Sequence, residues 1–168
     1  MLEASYIGLF LPPWFRNYGK RVVKTPKFYF LDSALAGLLT RQPDAASALA
    51  GPLGGALFEG WGIAEAAKAF MARGRKPELY FWRSHDGLEV DLCIVIGGKL
   101  HPVEIKLTAT PGTGHLQPLR QLLSAAGADA AESGLIVCRT AKPRELPGGH
   151  RALPWHEFPD WLAERLDG

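Results

Sequence analysis

Between Gly87 and Thr108 the chain reads GLEVDLCIVIGGKLHPVEIKLT. Two runs rich in Val, Ile and Leu meet at Gly97-Gly98, and that pattern specifies a hairpin. The favoured two-residue turns need positive φ at one or both positions, which glycine supplies without steric cost. The turn also sets the register. Ile96 should face Lys99, Asp91 should face Glu104, and Glu89 should face Lys106. Side chains on a strand alternate between faces. One face then carries Val90, Leu92, Ile94, Ile96, Val103, Ile105 and Leu107, and forms core. The other carries Glu89, Asp91, Cys93, Val95, Leu100, Pro102, Glu104 and Lys106, with its charges gathered at the end away from the turn.

Charges inside such strands need an explanation. Carboxylates directly opposite each other would have Cβ atoms ~5 Å apart and repel. A hard divalent cation offsets that repulsion, because Mg²⁺ is commonly held by one or two carboxylates plus substrate oxygens. Asp91 and Glu104 are therefore the expected ligands for Mg²⁺ (or Mn²⁺). Lys106 shares the face of Glu104 and is suited to stabilise developing negative charge or to position a water. The plainer alternative is a solvent-facing strand with a ladder of salt bridges.

The remaining pattern implies helices around a sheet. PKFYFLD reads as a strand, and Asp32 or Ser33 caps a short helix, SALAGLLTR. RQPDAASALAGPLGG reads as a small-residue connection. ALFEGWGIAEAAKAFMARG reads as a helix with Leu57, Trp61, Ala64 and Lys68 near one face and Gly74 beyond its end. Gly60 and Gly62, at ~1 kcal/mol each relative to Ala, are expected to loosen it. ELYFWRS precedes the hairpin as a strand. HLQPLRQLLSAAG is a helix with Leu116, Leu119, Leu122, Leu123 and Ala126 as its buried stripe. SGLIVC is a short buried strand, PRELPGGH a loop, and the chain ends in a helix. The expected architecture is α/β, a mixed central sheet flanked by helices. Residues 1–50 form an N-terminal segment with a strand and short helix, packed on or leading into a main α/β domain at 51–168.

Composition excludes several classes. The 168 residues carry a formal net charge of +2, which alone does not mark a nucleic-acid binder. No apolar run approaches the ~20 residues of a membrane span, and MLEASYIGLFLPPW is a poor signal peptide. Cys93 and Cys138 lack zinc spacing and fit buried free thiols, which points to a cytoplasmic protein. No serine has the context of a hydrolase triad. Basic residues are nevertheless uneven: Arg16, Lys20, Arg21, Lys24 and Lys27 occupy one segment without an acid. They form either a solvated face or a set of phosphate contacts. Trp14 and Phe15 beside them could stack on bases. Arg73, Arg75 and Lys76 form a second cluster that suits a helix C-terminus.

Asp91 followed by Glu104-Ile105-Lys106 resembles the PD-(D/E)XK nuclease superfamily. The resemblance implies a restriction-endonuclease-like fold, metal-binding acids, and a lysine that assists phosphodiester hydrolysis. It implies a further acid on the preceding helix, Glu59 in LFEGW, and a polar residue on the following helix, Gln117. The wider pattern LFLPPWFRNYGKRVVKTPKFYFLDSALAGLL, LFEGW, YFWRSHDGLEVDLCI, HPVEIKLT and LPWHEF resembles the C-terminal domain, of unknown function, of a family of prokaryotic AAA-type ATPases. That implies an upstream ATPase domain as a partner. No G-x(4)-G-K-[ST] phosphate loop occurs here, so the chain looks like the C-terminal part of a longer protein and should not bind ATP alone.

Two functions follow as expectations. One is a Mg²⁺-dependent phosphodiesterase acting on nucleic acid, DNA before RNA, with Asp91 and Glu104 on the metal and Lys106, Glu59 and Gln117 in supporting roles. The other is a non-catalytic module that docks an ATPase onto nucleic acid or protein.

Overall fold

The computed structural model describes residues 6–15 and 25–168. The chain forms β1 (Gly8–Leu11), β2 (Lys27–Phe30), α1 (Ser33–Leu39), α2 (Ala45–Ala50), α3 (Gly54–Met71), β3 (Leu79–Arg83), β4 (Glu89–Ile96) and β5 (Lys99–Lys106). It continues with α4 (Leu116–Ala126), β6 (Leu135–Cys138), β7 (Arg144–Glu145), β8 (Arg151–Pro154) and α5 (Phe158–Asp167). Six strands form one mixed sheet in the order β3-β4-β5-β6-β8-β7, while β1 and β2 pair separately. The fold is mixed α/β with a central sheet flanked by helices, as the sequence implied.

The hairpin turn is the one its glycines demand. Gly97 and Gly98 have φ of 58° and 77°, and Ile96 pairs with Lys99. The β4–β5 ladder runs in the expected register from Ile96↔Lys99 to Leu92↔Val103. From β5 the chain crosses through α4 into β6, which lies parallel to β5 with Glu104 beside Ile136 and Lys106 beside Cys138.

Each sheet face has its own apolar cluster. On one side, Leu79, Phe81, Leu92, Ile94, Val103, Ile105, Leu135 and Val137 pack against Phe58, Ile63, Ala67 and Phe70 of α3 and Phe158, Leu162 and Leu166 of α5. On the other, Trp82, Val90, Cys93, Leu100, Ile136 and Cys138 pack against Leu116, Leu119, Leu122 and Ala126 of α4. Leu123 is half-buried at the edge of that stripe. Both cysteines are free and buried. Among the described residues no helix is long and apolar enough to cross a membrane.

Several expectations are corrected. RQPDAASALAGPLGG is not irregular throughout: Asp44 caps α2 by accepting the Ser47 N–H at 2.7 Å. The buried residues of α3 are Gly54, Phe58, Gly62, Ile63, Ala64, Ala66, Ala67 and Phe70; of the expected stripe only Ala64 is among them, with Trp61 packed at the core's edge. β1 appears at GLFL. β7 arises within the expected loop and β8 just after it; β8 is half of a parallel pair with β6. Gly62 has a packing reason in α3. A Cβ there would lie 2.7 Å from Ile105 Cδ1, so glycine lets the helix approach β5 closely. The expectation for Arg73 holds, since it donates to Ala69 O at 3.0 Å in the last turn of α3; it also pairs with Asp167, and Arg75 donates to Leu166 O at 3.1 Å.

Val90 belongs with Cys93 rather than with Leu92. The cause is a shift in β3–β4: Tyr80 pairs with Cys93, but Trp82 pairs with Val90. Phe81 thus stands against two residues, Asp91 and Leu92, in a β-bulge. Bulges reverse the alternation and re-aim side chains, and they are frequent beside functional sites.

Candidate active site

The bulge places Asp91 where β4 and β5 separate. Instead of continuing the ladder, the Asp91 carboxylate accepts the backbone N–H of Ile105 at 2.8 Å. Lys106 Nζ lies 2.7 Å from Asp91 Oδ2 and 2.7 Å from Glu104 Oε2. The lysine side chain is 33% exposed, whereas Asp91 and Glu104 are 6% and 1% exposed at their side chains. The two acids and the amine therefore converge, and the amine closes the site toward solvent.

Glu104 is the strained member. Its Oε1 is buried and lacks a hydrogen-bond partner. Burial, then repulsion from Asp91, pushes its carboxyl up to about 9 despite the opposing effect of Lys106. Burial would lower the Lys106 amine, but the Asp91 and Glu104 charges outweigh it and hold the amine above its ordinary range. Burial and the same two acids keep the Cys93 thiol protonated.

Glu59 stands in a neighbouring network. Its carboxylate accepts from Tyr29 Oη and lies 3.5 Å from Lys27 Nζ. Lys27 also pairs with Glu89, which Arg83 holds from the other side through Nε at 2.6 Å. Glu89 thus pairs with Arg83 and Lys27, not with Lys106 as the extrapolated register implied, because the bulge shifts it toward β3. Burial and the Glu59 charge raise the Tyr29 hydroxyl, with a further contribution from Asp91, so it remains a donor. Tyr29 was not singled out from sequence. Alternation in KFYF puts it on one face with Lys27, and that was the readable signal.

The other candidates are separate. Gln117 is exposed in the first turn of α4, without a hydrogen bond to Asp91, Glu104 or Lys106. Lys27 is engaged by two carboxylates and lies 5.2 Å from the Phe81 ring centroid. Arg16, Lys20, Arg21 and Lys24 lie outside the described residues. Trp14 donates its backbone N–H to Phe81 O at 2.7 Å and packs at the edge of the α4-side cluster. His115 accepts the Gly112 N–H through Nδ1 at 3.1 Å.

Among the described residues no group of three or more His, Cys, Asp and Glu is placed to hold a metal. The donors that converge are two carboxylates. They nevertheless suit a hard cation: both are oxygen donors, and one buried carboxylate oxygen has no partner.

Residues 54–158, more than half of the chain, match the family described as "Domain of unknown function (DUF4143)". Residues 1–46 match "Domain of unknown function (DUF8612)". Among curated proteins, an uncharacterized protein of Mycobacterium tuberculosis (strain ATCC 25618 / H37Rv) is 37% identical over 101 residues, which is 60% of this chain and 22% of the relative. An uncharacterized protein of Mycobacterium bovis (strain ATCC BAA-935 / AF2122/97) matches to the same extent. The match thus spans 22% of the length of these curated relatives. No solved structure matches the chain significantly.

Proposed function

The chain belongs to the DUF4143 family, and from that premise we propose that it carries a Mg²⁺-dependent phosphodiesterase site of PD-(D/E)XK type acting on nucleic acid. The observation that supports this most strongly is the unpartnered buried Oε1 of Glu104 beside Asp91 and Lys106. A buried carboxyl oxygen without a partner is costly, at ~1–3 kcal/mol. A cation satisfies it.

In this reading Asp91 and Glu104 hold the metal through their carboxylates. A bound Mg²⁺ would supply Lewis-acid polarisation of a phosphoryl oxygen and a lowered pKa for a coordinated water. The Ile105 N–H fixes the Asp91 carboxylate, so its orientation is set by the backbone of the strand that carries Glu104 and Lys106. Lys106 remains protonated and orients the attacking water or neutralises charge on the phosphoryl oxygens. Glu59, held by Tyr29 and Lys27, supports the site from α3. Gln117, Arg16, Lys20, Arg21 and Lys24 remain candidate contacts to the nucleic-acid strand, while Lys27 is taken up by Glu59 and Glu89. The wider resemblance suggests an upstream ATPase domain in the full-length protein, DNA before RNA as the substrate, and a cytoplasmic setting.

A second reading has its own support. Lys106 already bridges both acids, and an ion pair of that kind can serve packing alone. The domain would then be a non-catalytic module that docks an ATPase onto nucleic acid or protein. Incubation of the purified chain with labelled single-stranded and duplex substrates, with and without Mg²⁺ or Mn²⁺, separates the two. The catalytic reading predicts metal-dependent cleavage that Lys106→Ala largely removes. Metal-independent cleavage contradicts the metal site, and no cleavage over a broad panel favours the docking module.

A further inference from the structure

A cavity of about 600 Å³ opens where α1, α2 and α3 meet the segments that follow β6 and β8. Its wall includes Gln42, Asp44, Phe58, Trp61, Arg139 and Trp155. The volume is in the range of small-molecule sites. Trp61 stacks on Phe58 with centroids 5.5 Å apart and meets Trp155 edge to face at 5.4 Å. Trp155 nevertheless remains 43% exposed. Asp44 at the rim is occupied by Ser47. Arg139 is exposed and has no ion pair among the described residues.

The position of the cavity matters as much as its lining. Cys138 pairs with Lys106, and Arg139 is the next residue, its N–H held by Thr108 O at 2.7 Å. Phe58 in the wall directly precedes Glu59. The cavity therefore lies outside the carboxyl ends of β5, β6 and β8, the customary ligand position in open α/β sheets. An uncovered indole, an amide and a guanidinium without an ion pair in one cavity match a base and its phosphate. An aliphatic peptide side chain would need no cation at that mouth.

We propose that this cavity is a nucleotide subsite that seats one base of a single-stranded nucleic acid on Trp155, with Arg139 on the adjoining phosphate. It rests on the phosphodiesterase reading and goes beyond it by naming the form of the strand. A base can enter such a cavity only when unpaired, so the subsite selects single strands over duplex.

The test is fluorescence anisotropy of labelled eight-residue thymidine and uridine strands, and of a matched duplex, against the 168-residue chain in EDTA. Chelation keeps binding separate from cleavage. Single strands should bind at least about tenfold more tightly than duplex, and the better strand identifies the sugar. Stacking is worth ~1–3 kcal/mol per base, so Trp155→Ala should weaken binding about tenfold while Trp155→Phe stays within about threefold of wild type. Arg139→Ala should lower the slope of log affinity against log salt by about one. Arg139 is exposed, so that variant keeps the test decisive even where Trp155→Ala fails to fold. Unchanged binding by Arg139→Ala and by a folded Trp155→Ala, or equal affinity for duplex, overturns the subsite. Lys106-dependent cleavage that survives Trp155→Ala with unaltered binding overturns the subsite and leaves the catalytic reading standing. Trp155-dependent binding without any cleavage supports the subsite and removes the catalytic reading.

Discussion

The Asp91 carboxylate accepts the backbone N–H of Ile105 at 2.8 Å, at the point where the ladder between their strands has ended. A side chain has replaced a main-chain acceptor. Asp91→Ala would leave a buried N–H unsatisfied and should cost about 2 kcal/mol, within the ~1–3 kcal/mol range for a lost buried partner. Asp91→Asn retains an acceptor oxygen, and the lost Lys106 ion pair is offset by the lost repulsion against Glu104, so its stability should stay within about 1 kcal/mol of wild type. Urea denaturation of both variants measures the difference. Equal destabilisation would show that the Ile105 contact contributes little.

The pH dependence follows from Glu104. Its carboxyl is raised from 4.5 to about 9 in the folded chain. Between those values the native state holds a proton that the unfolded state has released, so stability falls as pH rises. Burial lowers His101 and His150, which erodes stability only below their ordinary 6.5. The melting temperature should therefore decline between about pH 6.5 and 9, with a slope of at most about 1.4 kcal/mol per pH unit. Glu104→Gln should flatten that decline. A wild-type profile that rises over this interval would contradict the assignment.

Two glycines in α3 should respond in opposite directions. At Gly60 an added Cβ would meet only Tyr29 Cδ1 at 3.7 Å, an ordinary contact. Gly60→Ala should stabilise by up to about 1 kcal/mol through helix propensity. At Gly62 the Cβ would collide with Ile105, so Gly62→Ala should destabilise by about 1–3 kcal/mol. Ile105→Val in the Gly62→Ala background should recover part of the loss. Thermal melts of the three variants read this directly, and a stabilising Gly62→Ala would refute the close approach.

The hairpin was legible because Gly-Gly favours a two-residue turn, and that turn counts out the register as far as Leu92↔Val103. The convergence of Asp91, Glu104 and Lys106 was legible only in part: the register put the two acids side by side, but it set Lys106 against Glu89, and the ladder ends before Asp91. The bulge was not: strict alternation has no way to mark one extra residue, so Val90 and Glu89 were assigned to the wrong neighbours. α2 has six small-residue-rich positions, too few for periodicity to rise above a loop. β8 has four residues and ends in proline; its identity as a strand comes from its partner β6, which lies outside its own sequence. Lys27 was read as a surface phosphate contact because its charge was counted along the chain, whereas its partners Glu59 and Glu89 are 32 and 62 residues away.

Metal binding should release a proton, because Glu104 is largely protonated near neutral pH without a compensating cation. Titration calorimetry of Mg²⁺ at pH 7 in two buffers of different ionisation enthalpy should report about one proton released. Glu104→Gln should abolish both the heat and the thermal shift that Mg²⁺ gives to wild type. An unchanged thermal shift in Glu104→Gln would place the metal elsewhere.

The central claim is that Asp91 and Glu104 share one cation. Anomalous diffraction from a crystal of the chain soaked in Mn²⁺ tests it most directly. The expected result is a single peak in contact with both carboxylates, including the Glu104 Oε1 that now lacks a partner, with the Lys106 amine displaced from between them. A Lys106 amine still bridging both acids, with no Mn²⁺ between them at saturating concentration, would contradict it.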